Sequence, residues 1–186
     1  MKRFFDFTTA LIMLIIMALP IAVIAILVKF SSPGPAIHWS DRVGKNNKNF
    51  LMPKFRTMRK DSPEVATHLM KNAENYLTQF GSFLRRTSLD ELPQLWSVLK
   101  GDMSFVGPRP ALFNQDDLIK LRTDKGVSML IPGITGWAQI NGRDKISIPA
   151  KVSYDEYYLK NRSFLFDMKI LCDTFLKVIK KEGVVH

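Results

Sequence analysis

From Phe7 to Val28 the chain carries no charged residue: FTTALIMLIIMALPIAVIAILV. Fully helical, this stretch is about 33 Å long, against a hydrocarbon core of about 30 Å. One membrane-spanning helix is its simplest reading. The run is long for a signal peptide, and no small-x-small cleavage site follows it. Pro20 stands near its middle and cannot donate to the Ile16 carbonyl, so a kink is predicted there. Lys2 and Arg3 precede the run, while Lys29, Arg42, Lys45 and Lys48 follow it. Basic residues on both flanks place both ends on one side of a membrane under the positive-inside rule. A re-entrant helix that enters one leaflet, bends at Pro20 and returns fits both observations. The residues alone leave the spanning and re-entrant forms open.

After this run the pattern shortens. Ser31-Ser32-Pro33-Gly34-Pro35 ends the helix in a turn. Ala36–Arg42 and Phe50–Phe55 read as short strands around a turn at Gly44–Asn49. Asp61–Gly81 reads as a polar, irregular helix. Leu89–Leu99 reads as a helix closed by Gly101. Ala111–Lys125 reads as another, acidic at its start and basic towards its end. Pro132–Arg143 is a glycine-rich ordered loop, and Ala150–Leu159 a short helix. In Phe164–Lys181 the residues Phe164, Met168, Leu171, Phe175 and Val178 recur at helical spacing. That stripe either packs on a core or lies in a membrane interface with its lysines among the headgroups. The expected fold is mostly α with a small β element. A membrane helix over residues 1–30 precedes one compact domain over 31–186 that ends in the amphipathic helix.

Charge sharpens this picture. The chain has 186 residues, 46% hydrophobic and 24% charged, with a net charge of +10. Such a composition argues against disorder. A basic surface favours anionic lipid, nucleic acid or phosphorylated substrates. Cys172 is the single cysteine, so no internal disulfide forms. His38, His68 and His186 are scattered without metal-ligand spacing.

The chemistry concentrates in RRTSLDELPQLWSVLKGDMSFVGPRP, Arg85 to Pro110. Asp90 and Glu91 are adjacent carboxylates able to hold a divalent metal, close to arginines able to hold phosphate. Ser88-Leu89-Asp90-Glu91 also matches a capping box, in which Ser88 caps a helix and Glu91 reaches back. Pro93 fits only near a helix start, and a helix N-terminus itself attracts phosphate. Arg85 and Arg86 read equally as a solvated basic face. Pro108 and Pro110 restrict the backbone on both sides of Arg109, which suits bidentate contact with a phosphate. Lys54-Phe55-Arg56 is either a phosphate or headgroup contact or an exposed strand edge. PGITGWAQINGR (Pro132–Arg143) matches neither the P-loop nor the dinucleotide fingerprint.

Together, KFRTM (Lys54–Met58), RRTSLDELPQLWSVLKGDMSFVGPRP and PGITGWAQINGR resemble the bacterial sugar transferases, that is, the monotopic phosphoglycosyl transferases in their minimal form. The resemblance runs from the membrane segment through Tyr154-Asp155-Glu156-Tyr157-Tyr158 to the C-terminal helix. It implies transfer of a sugar 1-phosphate from a UDP-sugar to a polyprenol phosphate such as undecaprenyl phosphate, with release of UMP. On this resemblance Asp90 matches the family nucleophile and Glu91 the second acid of the dyad, assigned to Mg²⁺ binding or activation of the acceptor, with Mg²⁺ at the pair. Arg109 matches the phosphate-binding arginine of the Pro-Arg-Pro motif. Lys54, Arg86, Gln139, Arg143 and Asp155 fall on family positions around the site. The resemblance further implies a re-entrant helix bent near Pro20, and a catalytic domain on the cytoplasmic face of the bacterial inner membrane. Many members have serine before that proline, where this chain has Leu19.

Three rivals remain at this stage. A non-catalytic membrane-anchored module explains the charge and the anchor but not the motif matches. A glycosyltransferase that adds a sugar without its phosphate releases UDP rather than UMP. Nucleic-acid binding rests on charge alone.

Overall fold

In the computed structural model, residues 1–59, 62, 76–142 and 146–179 are described. The fold is mostly helical with two small sheets. The apolar run forms two helices, α1 (Lys2–Ile16) and α2 (Ala18–Ser31), bent by 63°. The break falls at Met17 (φ −88°, ψ 3°), one turn before Pro20. This is the physical consequence expected of a proline: it sits comfortably in the first turn of α2, and the discontinuity moves to the residues whose carbonyls it cannot serve. Neither helix alone is long and apolar enough to cross a membrane; the bent pair is, by length and composition.

Both ends of the pair are fastened to the rest of the chain. Lys2 Nζ donates to Asp167 Oδ2 (2.6 Å). Arg3 donates to the Val98 carbonyl (2.5 Å) and the Leu99 carbonyl (2.7 Å). The buried Asp6 carboxylate accepts from the Phe105 amide (3.3 Å). At the other end Arg56 donates to the carbonyls of Pro33, Ser32 and Val28, closing the C-terminus of α2. Ala10 packs into the main hydrophobic core with Val98, Met103 and Ile170, and Ile24 and Val28 form a second core with Phe55 and Leu84. Phe4, Ile12, Ile15, Ile16, Leu19, Ile26 and Phe30 stay exposed.

The predicted hairpin is present. Strands β1 (Ile37–Val43) and β2 (Asn49–Phe55) pair antiparallel, with Lys54 opposite His38. The turn between them uses Asn46 and Asn47 at positive φ, which asparagine tolerates better than most residues. α3 (Gln79–Thr87) follows; the predicted Asp61–Gly81 helix otherwise lies largely outside the described residues. The predicted helix over Leu89–Leu99 is a 3₁₀ segment (Leu89–Gln94) that leads into α4 (Leu95–Lys100), closed by left-handed Gly101. There the Arg3 guanidinium lies 3.1 Å from where a Cβ would stand, so conformation and space both demand glycine.

β3 (Ser104–Val106) pairs parallel with β5 (Gly133–Thr135), and β4 (Ala111–Leu112) extends the hairpin beside β1. The predicted helix from Ala111 therefore begins later, as α5 (Asp116–Asp124). The glycine-rich loop resolves into β5 and the short α6 (Trp137–Ile140). α7 (Ile148–Asn161) is capped by Ser147, and α8 (Phe164–Ile179) closes the described chain.

In α8 the inward residues are Asp167, Ile170, Thr174 and Lys177; Thr174 bonds Thr135 and Lys177 bonds the Ile140 carbonyl. Leu165 (81% exposed), Phe175, Leu176 and Val178 face outward. The predicted apolar stripe is thus only partly on the core, through Met168 and Leu171, while Phe164, Phe175 and Val178 are exposed.

Candidate active site

The capping-box expectation fails. Ser88 is the left-handed C-cap of α3 (φ 56°), and its side chain caps nothing. The chain turns there because α3 ends, and the acids that follow enter a short 3₁₀ turn rather than an α-helix. The helical segment that starts here is 3₁₀ over Leu89–Gln94 and runs without a break into α4 at Leu95, so Asp90 and Glu91 do stand in the first turn of a helix, a tighter one than expected.

The side chains that meet the dyad come from β2 and the Pro-Arg-Pro loop. Glu91 Oε1 accepts from Lys54 Nζ (2.9 Å) and from Arg109 Nη2 (3.1 Å). Lys54 and Glu91 retain 16% and 14% side-chain exposure, so the pair is largely withdrawn from water yet reachable. Among the described residues, both ion pairs of the dyad end on Glu91. Asp90 is buried to 8% exposure, and burial pushes its carboxyl above the ordinary range. Lys54 opposes that shift, Glu91 adds to it, and Arg85 and Arg109 oppose it. Burial likewise lowers Lys54, with Glu91 acting the other way.

Two further cations complete the surroundings. Arg85 donates from Nε to Thr57 Oγ1 (2.9 Å) and lies within the field of Asp90. Arg42 donates to Ser40 Oγ (2.9 Å) and to the Pro110 carbonyl (3.3 Å). Its pKa is pushed down to about 10 by burial and then by Arg109, so it stays charged at neutral pH. Strand alternation puts His38, Ser40 and Arg42 of β1 on one face, and the register puts Lys54 beside them. Four cations thus surround two acids, and the surplus suits an anionic ligand.

The Pro-Arg-Pro loop is rigid for reasons beyond its prolines. Gly107 and Gly136 approach so closely that a Cβ on Gly136 would lie 2.1 Å from the Gly107 carbonyl oxygen. The Pro108 carbonyl accepts from the Gly133 amide (2.9 Å), and the Arg109 carbonyl accepts from Arg122 Nη1 (2.8 Å).

The sequence-predicted residues separate into groups. Asp90, Glu91, Lys54 and Arg109 come together. Arg86 is exposed on α3, and its neighbour Arg85 takes the place near Asp90. Asp155 is buried and paired with Arg122, behind the loop rather than beside the dyad. Gln139 sits in α6, with both amide atoms buried and unbonded. Arg143 lies outside the described residues. Sequence reasoning missed Arg42 and Arg122, single arginines in unremarkable stretches whose roles appear only through pairing. Arg56, read as a headgroup contact or strand edge, is instead the buried clasp on α2.

Among the described residues no group of three or more His, Cys, Asp or Glu side chains converges. Among those residues no zinc or calcium cage is built. Two carboxylates alone fit Mg²⁺, which is commonly held by one or two carboxylates together with substrate phosphates.

A family model described as bacterial sugar transferase matches residues 1–181. The chain belongs to the bacterial sugar transferase family. It is 42% identical to the uncharacterized sugar transferase EpsL of Bacillus subtilis, over 99% of this chain and 90% of that protein. It is 40% identical to the UDP-glucose:undecaprenyl-phosphate glucose-1-phosphate transferase of Escherichia coli, over 97% of this chain but 40% of that protein. Likewise it is 37% identical to the undecaprenyl-phosphate galactose phosphotransferase of Salmonella typhimurium, over 98% of this chain and 41% of that protein. This sugar transferase thus spans nearly all of one relative and about two-fifths of the other two.

Proposed function

We propose that this sugar transferase moves a sugar 1-phosphate from a UDP-sugar to undecaprenyl phosphate or a similar polyprenol phosphate, giving a polyprenyl diphosphate sugar and UMP. The observation that carries the proposal is the unequal dyad: Glu91 is clamped between Lys54 and Arg109, while Asp90 stands buried beside it among cations. The printed activities of the Escherichia coli and Salmonella relatives support the same reaction class.

The chemistry divides into two displacements. An ionised Asp90 oxygen attacks the sugar-bearing phosphorus of the UDP-sugar. The bond from that phosphorus to the bridging oxygen breaks, and UMP leaves with the bridging oxygen and its electron pair. The sugar phosphate is then held as a mixed anhydride on Asp90. A phosphate oxygen of the polyprenol phosphate attacks the same phosphorus and returns the Asp90 carboxylate. Covalent catalysis of this kind lets the nucleotide and the lipid bind in turn.

Each step brings anion to anion, and the cations reduce that repulsion. Arg109 offers its fork to a phosphate, and Lys54 restrains Glu91 so that it does not compete for Asp90. Asp90 and Glu91 would hold Mg²⁺, which supplies charge neutralisation at the diphosphate. The raised Asp90 pKa means that the nucleophile gains reactivity as pH rises through its own titration.

Membrane association follows from the same reading. The fastening of both ends of the α1–α2 pair to one domain and its apolar outer face support a re-entrant hairpin over a span. The outward Leu165, Phe175 and Val178 of α8 lie at the acyl boundary. The basic flanks support a position of the domain on the cytoplasmic face of the inner membrane. Substrate comes from water and acceptor from lipid, and the site works at that boundary. Nucleic acid has no part in it.

The test is a panel of UDP-sugars offered with undecaprenyl phosphate and Mg²⁺, scored for UMP and for a lipid-linked product. UMP with sugar phosphate on the lipid is the expected outcome. Release of UDP would assign a different glycosyl transfer, and neither nucleotide would point to a binding module.

A further inference from the structure

From the loop's hydrogen bonds we infer that Arg122 and Asp155 are positioning residues, which form a buttress that aims Arg109 at the substrate phosphate without touching substrate themselves. The inference rests on the proposed role of Arg109.

Three consecutive carbonyls of the loop are fixed by donors from three different elements. The Pro108 carbonyl accepts from the Gly133 amide of β5 (2.9 Å). The Arg109 carbonyl accepts from Arg122 Nη1 of α5 (2.8 Å), and the Pro110 carbonyl from Arg42 Nη1 of β1 (3.3 Å). Prolines on both sides of Arg109 remove two backbone donors and fix two φ angles, so the three carbonyls supply most of the loop's backbone handles. Of the three donors, only Arg122 acts on the arginine residue itself.

Arg122 is in turn oriented by Asp155. Its Nε and Nη2 both donate to Asp155 Oδ2, at 3.0 and 2.7 Å. Side-chain exposures are 9% for Arg122 and 2% for Asp155. A planar guanidinium with one edge on a carboxylate has its remaining donor aimed in a fixed direction, here at the Arg109 carbonyl. At this burial Asp155 offers no face to a diphosphate. As a buried carboxylate it would also repel one.

A lysine at 122 keeps the charge beside Asp155 but provides one compact ammonium, which cannot span both acceptors. Asparagine at 155 keeps the shape and a hydrogen-bond acceptor while removing the charge. Both keep the side-chain size close to that of the wild type and change the buttress directly; because each disturbs a buried ion pair, melting is read beside activity.

The experiment compares Arg109→Lys, Arg122→Lys, Asp155→Asn and the pair Arg109→Lys/Arg122→Lys, each as the full chain in liposomes containing undecaprenyl phosphate, with the UDP-sugar that the panel identifies. kcat, KM, thermal melting and liposome co-sedimentation are read for each. Arg122→Lys is expected to lower kcat/KM about tenfold or more, with the kcat-against-KM split of Arg109→Lys. Added to Arg109→Lys, it should lower kcat/KM by less than about threefold further, because the two changes disable one device. Asp155→Asn follows the same direction with a smaller loss, and carries the cycle if Arg122→Lys melts early. Full multiplication of the two losses would mean that Arg122 acts on substrate independently. Activity within about twofold of wild type in both Arg122→Lys and Asp155→Asn would remove the buttress altogether. A silent Arg109→Lys would instead overturn the phosphate role of Arg109, and the inference with it.

Discussion

The bent helix pair and the acid cleft both depend on arginine, and they use it in opposite ways. At the pair, Arg3 and Arg56 donate to backbone carbonyls at the ends of α4 and α2. Those carbonyls lie in or just past the last turn of each helix, and a cation there also meets the negative end of the helix dipole. In the cleft, Arg109 converges with Lys54 on a carboxylate beside a second carboxylate. A cation spent on carbonyls is a fastener. A cation that shares a carboxylate with another cation retains charge that an incoming anion can use. Acceptor type thus separates Arg3 and Arg56 from Lys54 and Arg109, whereas Lys2 fastens α1 through the Asp167 carboxylate.

The contrast can be broken most strongly at the proposed nucleophile. Asp90→Asn should lower turnover by at least about a thousandfold while liposome co-sedimentation is unchanged. A variant that loses membrane binding with its activity would show that the two regions are not separable. Next in size, Ile16→Lys with Leu19→Lys places two charges on the exposed apex of the pair. At about 2.5–3.5 kcal/mol each in a bilayer, the change should move most of the protein out of the membrane fraction. Retained sedimentation would mean that the apex does not enter lipid.

Smaller effects sharpen the division between fasteners and working cations. Arg56→Ala leaves the last carbonyls of α2 without their donor and should destabilise the protein by about 1–3 kcal/mol, measured by thermal melting. Arg85→Ala should lower turnover about tenfold through its effect on Asp90, and Arg86→Ala less than about threefold, since only Arg85 is near the acid. Equal losses would restore Arg86 to the site.

The mildest test is one of stability against pH. Burial raises the Asp90 pKa in the folded protein, so the folded state keeps the proton longer than the unfolded chain does. Stability contributed by the neutral acid is present below the unfolded value and is lost as pH rises towards the folded value. Asp90→Asn should therefore melt slightly above wild type at neutral pH, and the gap should close in acid. A variant less stable than wild type at pH 7 would contradict the shift.

Much of this was legible in the sequence, and the failures have physical causes. The hairpin strands were visible because the Gly44–Asn49 turn residues bracket them. The motifs alone single out Asp90, Glu91, Lys54 and Arg109, which the fold brings together. The kink was expected at Pro20, yet it fell at Met17, because proline disturbs the turn before it. Ser88 both ends α3 and precedes the next helical turn, and spacing does not reveal the left-handed backbone with which its side chain makes no capping bond. The parallel pairing of β3 and β5 was invisible, since three-residue strands carry too few positions to show alternation. In α8 the apolar stripe was read correctly as amphipathic, but periodicity gives the existence of two faces without saying which solvent each one meets. Arg122 and Asp155 lie far apart in sequence, and nothing short of the fold joins them.

The account rests finally on the covalent role of Asp90, and intact-protein mass spectrometry addresses it directly. Purified protein is mixed with its UDP-sugar and Mg²⁺ without polyprenol phosphate. The prediction is a mass increase equal to one sugar phosphate, matched by one equivalent of UMP, absent from Asp90→Asn and discharged when undecaprenyl phosphate is added. A mass increase that persists in Asp90→Asn, or turnover with no trapped adduct and no stoichiometric UMP, would contradict it.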